Sequence, residues 1–150
     1  MLNTLVYLVF MKYLYLVRGK VRKGASRGKT LGFPTANILL HKKIPEGIYA
    51  SIVTIKGEKH YAATFIGSAK TFEEKELKCE SYILNFKQNI YGEWVSVKLL
   101  MKLRNNKKFL SAKLLVNQIK KDVLNTKKFF RMQVHSRSDI SVPHPMWKLF

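Results

Sequence analysis

The amino-acid sequence predicts an all-β fold, a small closed barrel of five or six strands, with one α-helix at its C-terminal end. Short apolar and β-branched runs, separated by turn signals, follow one another over roughly ninety residues, which is typical of a small barrel. After Ser111 the apolar residues recur with the period of an α-helix. A chain of 150 residues is the size of one domain.

Five runs of the sequence predict the strands: residues 13–21, 48–55, 60–66, 79–86 and 91–103. The segment Pro45–Gly47 is predicted to be a turn before the second run. The segment Lys56–Glu58 is predicted to be a tight turn that joins the second and third runs as a hairpin. Each run is short and bounded by turn residues, as barrel strands are.

The helix is predicted to begin after Ser111, whose hydroxyl can cap its N-terminus. Its apolar residues lie on one face, which predicts that the helix covers the barrel: Leu114, Leu115, Ile119, Val123 and Leu124. This periodicity continues to about Phe130. From Gln133 onwards no period is visible, and an irregular tail is predicted.

The net charge is +19, which suggests either a polyanionic partner or a lysine-rich solvated surface. Nucleic-acid binding normally adds a basic stripe interleaved with exposed aromatic residues, or a named motif, and the sequence shows neither. The sequence therefore favours solvation of the surface, with nucleic acid as the alternative partner.

The single cysteine, Cys79, excludes an internal disulfide framework and favours a reducing compartment, so we expect a cytoplasmic protein. The apolar run at residues 5–10 is much shorter than the about 20 residues that span a membrane, and no membrane partner is expected. Both Met1 and Met11 fit as the initiator.

The segment RKGASRGKTLGFPTAN, residues 22–37, has the composition of a phosphate loop without its spacing. Gly24 and Gly28 are separated by three residues, where a Walker loop has four, and Pro34 disfavours the helix that should follow. Backbone N–H groups at the two glycines and the charge of Lys29 still suit phosphates. A phosphate site of another architecture is predicted.

Thr35 and Asn37 lie two residues apart in a segment that Pro34 favours as extended, so both side chains should point to the same side. A hydroxyl and an amide oxygen are hard ligands that suit Mg²⁺ bound to substrate phosphates. The alternative is an ordinary turn with a side-chain cap.

Glu80 belongs to the run CESYILNF, where alternation places it on one strand face with Tyr82, Leu84 and Phe86. Desolvation among apolar neighbours would raise the pKa of this carboxyl towards the range of a general base. The alternative is an acid at a strand end that pairs with one of the many lysines.

Several motifs together resemble the riboflavin kinase (flavokinase) family over about residues 13–125. The most specific is Gly19–Asn37, which ends in G-F-P-T-A-N. The others follow in the family's order: Pro45-x-Gly47-Ile48-Tyr49, Ile66-Gly67, Thr71-Phe72, Glu80–Phe86, Ile90-Tyr91-Gly92, Leu103-Arg104, Lys108-Phe109, Ser111, Leu115, Gln118-Ile119 and Asp122.

The resemblance implies a six-stranded antiparallel Greek-key barrel with a C-terminal helix, and transfer of the ATP γ-phosphoryl group to riboflavin, giving FMN and ADP. It implies Mg²⁺ as the metal and Glu80 as the base. The residues implied for Mg²⁺-ATP are Thr35 and Asn37 as metal ligands, Gly24, Gly28 and Lys29 at the phosphates, and Ile83, Asn85 and Tyr91 by the nucleotide. Those implied for the flavin are Arg104, Lys107 and Phe109. We expect a monomer.

The sequence departs from the family pattern at two positions. Lys70 replaces a proline, which predicts a less rigid loop over residues 67–77, and Asn85 replaces the usual aspartate near the nucleotide. We expect a kinase domain over residues 11–130 with terminal extensions at 1–10 and 131–150. Only 18 residues precede Gly19, so we expect no adenylyltransferase domain and FMN as the product.

Overall fold

The computed structural model describes residues 12–24, 32, 34–70 and 75–135. It confirms the predicted fold class, because six antiparallel strands are followed by one helix. The elements are β1 Tyr15–Lys20, β2 Ala36–Leu39, β3 Gly47–Ile55, β4 Glu58–Lys70, β5 Lys75–Ile83, β6 Trp94–Arg104 and α1 Ala112–His135.

The six strands form one sheet in the order β1-β6-β3-β4-β5-β2, and every pairing is antiparallel. Just after β1, the Arg22 backbone N–H donates to the Asn37 carbonyl on β2 at 2.8 Å. This bridge brings the two edges of the sheet together. The result is a nearly closed Greek-key barrel.

Side chains that alternate along the strands fill the barrel with a mainly aliphatic core, in which Val53, Val97 and Leu99 are fully buried. Three hydroxyl side chains, one on each of the neighbouring strands β3, β4 and β5, form a row within this core. The Ser51 and Thr64 oxygens lie 2.5 Å apart, and the Thr64 and Ser81 oxygens 2.8 Å apart. Because these buried polar groups satisfy one another, the core holds them without an unpaired donor or acceptor along this row.

Helix α1 covers part of the outer face of the barrel, packing against β3, β4 and β6. The predicted N-cap is confirmed, since the Leu114 backbone N–H donates to the Ser111 hydroxyl at 3.2 Å. Near the other end, the Phe130 ring stacks on Tyr61 with 3.8 Å between ring centroids. This outer cluster fixes the helix on the barrel.

The structure corrects several predicted boundaries. Strand β5 ends at Ile83, and Asn85 then adopts a φ of 51°, which Asn tolerates better than most residues. The predicted face of four residues is therefore confirmed only in part: Tyr82 and Leu84 pack in the same cluster beneath the helix, whereas Phe86 packs against the barrel core.

The other differences are one additional strand and two extensions. The four-residue strand β2 was not predicted, β4 continues to Lys70, and α1 runs to His135, beyond the predicted start of the irregular tail. The predicted extension at residues 1–10 and the tail from residue 136 lie outside the described residues. No helix in the described part of the chain is long and apolar enough to cross a membrane.

Candidate active site

Thr35 and Asn37 lie side by side at the start of β2, as the extended backbone predicted. The Asn37 side-chain N–H group donates to the Thr35 carbonyl at 3.3 Å and to the Thr35 hydroxyl at 3.4 Å. Because the Thr35 carbonyl can only accept, its contact with the nitrogen fixes the orientation of the Asn37 amide. Its oxygen must point the other way.

The Asn37 side-chain oxygen is buried and has no hydrogen-bond partner among the described residues. Gly24 lies directly against this amide: a Cβ atom at that position would be 2.2 Å from Asn37 Nδ2 and 2.7 Å from Asn37 Oδ1. Any larger residue at position 24 would therefore have to push the Asn37 amide out of this position. An unpaired amide oxygen beside a threonine hydroxyl meets the requirement of Mg²⁺ for hard oxygen ligands. Gly24 leaves space for this amide.

Glu80 lies directly opposite Asn37, because the two residues are register partners in the β2–β5 pair. Directly opposed residues of antiparallel strands have Cα atoms about 4.5–5.5 Å apart and side chains on the same face. The Glu80 side chain is half-buried. The carboxylate and the Thr35–Asn37 pair, which are far apart in sequence, are thus neighbours on the outer face of the barrel.

A row of register partners continues from Glu80 across the sheet, through Phe65 on β4 and Ile48 on β3 to Arg104 on β6. With neighbouring strands about 4.8 Å apart, the row from Asn37 to Arg104 covers about 19 Å of sheet surface. The predicted metal and base residues lie at one end, and a predicted flavin residue lies at the other.

At the far end, Arg104 is held by a carboxylate of the helix. Its Nε and Nη2 atoms donate to the two carboxylate oxygens of Asp122, each at 2.7 Å, and the Gln118 amide donates to the same carboxylate at 3.0 Å. The Arg104 guanidinium also lies 6.0 Å from the centre of the Phe109 ring. Arg104 and Phe109 are therefore brought together, and the ion pair joins β6 to α1.

The other predicted residues are more scattered. Ile83 belongs to the barrel core, which leaves its side chain a packing role. Asn85, Tyr91 and Lys107 are exposed on turns or loops. Gly28 and Lys29 lie outside the described residues. Whether any of these residues contacts a nucleotide or a flavin stays a prediction.

Asn106 is a polar residue of this region that sequence reasoning missed. Its side-chain N–H group donates to the Ile66 carbonyl at 3.0 Å and to the Glu46 carboxylate at 3.2 Å, while its oxygen is buried without a partner among the described residues. In the sequence it stands in the run Asn105–Lys108, which looks like a solvated loop. No sequence signal separates it from its neighbours.

Comparison with known proteins gives a consistent result. The family model described as riboflavin kinase matches residues 11–130. A bifunctional riboflavin kinase/FMN adenylyltransferase of Listeria monocytogenes is 39% identical over 122 residues, covering 79% of this chain and 39% of the relative. An RNA-binding riboflavin kinase of Bacillus subtilis is 33% identical, covering 78% of this chain and 52% of the relative.

Among solved structures, the riboflavin kinase of Trypanosoma brucei is similar with a TM-score of 0.57 and 32% sequence identity. The match covers 77% of this chain and 79% of that one.

Proposed function

The chain belongs to the riboflavin kinase family, and on that premise we propose that it transfers the γ-phosphoryl group of ATP to the terminal ribityl hydroxyl of riboflavin. The products are FMN and ADP. The observation that carries this proposal is the register of β2 and β5, which sets Glu80 opposite Asn37 and beside Thr35. This register brings together a carboxylate, an amide and a hydroxyl, which the proposal uses as the base and the two metal ligands.

In the proposed reaction, Glu80 accepts the proton of the terminal ribityl hydroxyl while that oxygen attacks the γ-phosphorus. The bond between the γ-phosphorus and the β,γ-bridging oxygen breaks, and ADP leaves with that oxygen. Phosphoryl transfer depends mainly on positioning and on charge stabilisation. A barrel edge that fixes a carboxylate next to the phosphate site meets both needs.

The Thr35 hydroxyl and the Asn37 side-chain oxygen would hold Mg²⁺, which neutralises phosphate charge when it is bound. In this proposal Gly24 leaves the Asn37 amide the room that it needs, because a Cβ atom there would crowd it. We assign Gly28 and Lys29 to the phosphates by the same proposal. Ile83, Asn85 and Tyr91 are assigned to the nucleotide.

The flavin is proposed to lie towards Arg104, Lys107 and Phe109. This assignment follows the cross-strand row, which leads from the base at Glu80 to Arg104. The Arg104–Asp122 pair keeps the β6–α1 junction in place, and the Phe109 ring beside it offers a flat apolar surface. The proposed kinase domain comprises residues 11–130.

Replacing Thr35 or Asn37 by alanine tests the metal site. Each change removes one oxygen, and loss of even outer partners of metal ligands typically costs about 10–100-fold in affinity. We expect a loss of this size in Mg-ATP binding, measured by titration calorimetry, with riboflavin binding changed less than threefold. Equal loss of both ligands together with a lower melting temperature would indicate a structural turn instead.

Nucleic-acid binding without catalysis is the rival function, supported by the +19 charge. It gives no reason for the placement of Glu80 opposite Asn37 or for glycine at position 24. A chain that binds RNA at physiological salt and yields no FMN from riboflavin and Mg-ATP would favour the rival.

A further inference from the structure

We propose that Asn106 recognises the ribityl chain of riboflavin: its side-chain oxygen accepts a hydrogen bond from one of the ribityl hydroxyls that is not phosphorylated. This inference rests on the proposed function, since it takes riboflavin as the substrate. It adds a specificity residue for the sugar-like part of the flavin.

The orientation of the Asn106 amide is fixed by its neighbours. Its nitrogen lies 3.0 Å from the Ile66 carbonyl and 3.2 Å from the Glu46 carboxylate, and both of these oxygens require a donor. Turning the amide over would set its oxygen against two acceptors. The atom left without a partner is therefore the oxygen, and only a donor can satisfy it.

Buried polar atoms without a partner are rare, and each asks for an explanation. Among the described residues there are three such side-chain atoms: Asn37 Oδ1, Asn106 Oδ1 and His60 Nε2. The Asn37 oxygen lies beside Glu80 on the β2 side and is assigned to Mg²⁺. The Asn106 oxygen belongs to the other side of Glu80, above β4.

The neighbours of Asn106 place it near the base. A Cβ atom on Gly67 would lie 2.9 Å from Asn106 Nδ2 and 2.3 Å from Phe65 Cζ, so both side chains crowd over this glycine. Phe65 is in turn the register partner of Glu80. Gly67 lies two residues along β4 from Phe65 and is therefore the diagonal neighbour of Glu80, so Asn106 lies over a position about 7–8 Å from Glu80.

This distance selects the part of the flavin that can reach Asn106. If the terminal ribityl hydroxyl lies at Glu80, the three remaining ribityl hydroxyls follow along the chain within a few bonds. The N3–H donor of the flavin ring lies at the far end of the molecule. A ribityl hydroxyl is therefore the donor that fits an acceptor so close to the base.

The Asn106 oxygen is shielded from water in the described arrangement. A hydroxyl that reaches it must displace the side chains that cover it. An acceptor that is shielded from water discriminates strongly between riboflavin and a deoxy analogue, because the analogue that lacks the hydroxyl leaves the acceptor unpaired.

The test measures flavin binding without ATP, by quenching of flavin fluorescence, for riboflavin and its 2′-, 3′- and 4′-deoxy analogues. We expect the wild-type chain to bind one of the three analogues about tenfold more weakly than riboflavin. In Asn106→Leu, that analogue and riboflavin should bind equally within twofold. Asn105→Leu, a change of the exposed neighbouring residue, is the matched control and should keep the discrimination.

The outcomes separate the two proposals. If the wild-type chain binds riboflavin but binds all three analogues equally well, the role of Asn106 is refuted while the proposed function stands. The same holds if Asn106→Leu keeps the discrimination. If the wild-type chain binds no riboflavin, both proposals fail. Because the analogue series uses the wild-type chain, equal binding of all three analogues would refute the role of Asn106 even if Asn106→Leu does not fold.

Discussion

Replacing Glu80 by glutamine is expected to slow phosphoryl transfer by about 10²–10⁴-fold, the usual contribution of general acid–base catalysis. Glutamine has nearly the same shape as glutamate and keeps an oxygen that can accept a hydrogen bond, but it cannot take the ribityl proton. Because Glu80 is half-buried in a strand paired on both sides, the substitution should leave the backbone in place. The melting temperature and the affinities for riboflavin and Mg-ATP should change little.

The measurement is single-turnover formation of FMN by rapid quenching, with enzyme in excess over riboflavin, so that product release does not limit the rate. Glu76→Gln is the matched control, since Glu76 is an exposed glutamate four residues before Glu80 on the same strand β5. We expect this control to react at the wild-type rate. A Glu80→Gln rate within a few-fold of wild type would remove Glu80 from the role of base.

Replacing Asp122 by alanine is expected to lower the free energy of unfolding by about 3–5 kcal/mol, as is typical when one partner of a buried ion pair is removed. The Asp122 and Arg104 side chains are only 6% and 16% exposed, and two 2.7 Å hydrogen bonds join them. Without the carboxylate, the Arg104 charge is left in a place where little water can solvate it. The β6–α1 junction then loses its main polar contact.

Urea denaturation without ligands measures this effect, so that no bound flavin contributes to the stability. Asp122→Asn keeps the shape and one acceptor oxygen, and an intermediate loss is expected. Asn117→Ala, a change at an exposed position of the same helix, should stay within about 0.5 kcal/mol of wild type. A loss below about 1 kcal/mol in Asp122→Ala would mean that the pair contributes no more than a surface salt bridge.

The sequence could predict the parts of the fold that have a long and distinctive local pattern. Strand β3 is a continuous run of mostly apolar and small residues, buried at eight of its nine positions, and α1 has an apolar face with a clear N-cap at Ser111. The extended course after Pro34 also follows from local sterics. This was enough to set Thr35 beside Asn37.

The remaining features depend on contacts between distant segments. Strand β2 has four residues, too few for a period, and it exists because β5 and Arg22 pair with it. The register that sets Glu80 opposite Asn37 is likewise a property of the assembled sheet. Asn106 has no local signal at all, because its environment comes from Ile66 and Glu46.

Conversion of riboflavin by the purified chain tests the central claim most directly. The chain is incubated with riboflavin and Mg-ATP, and the flavins are separated by chromatography, with a parallel preparation of Glu80→Gln to reveal any contaminating kinase. We predict that FMN accumulates in proportion to wild-type protein and that adding EDTA in excess of the metal stops its formation. Riboflavin that stays unconverted, or equal conversion by both preparations, would contradict the account.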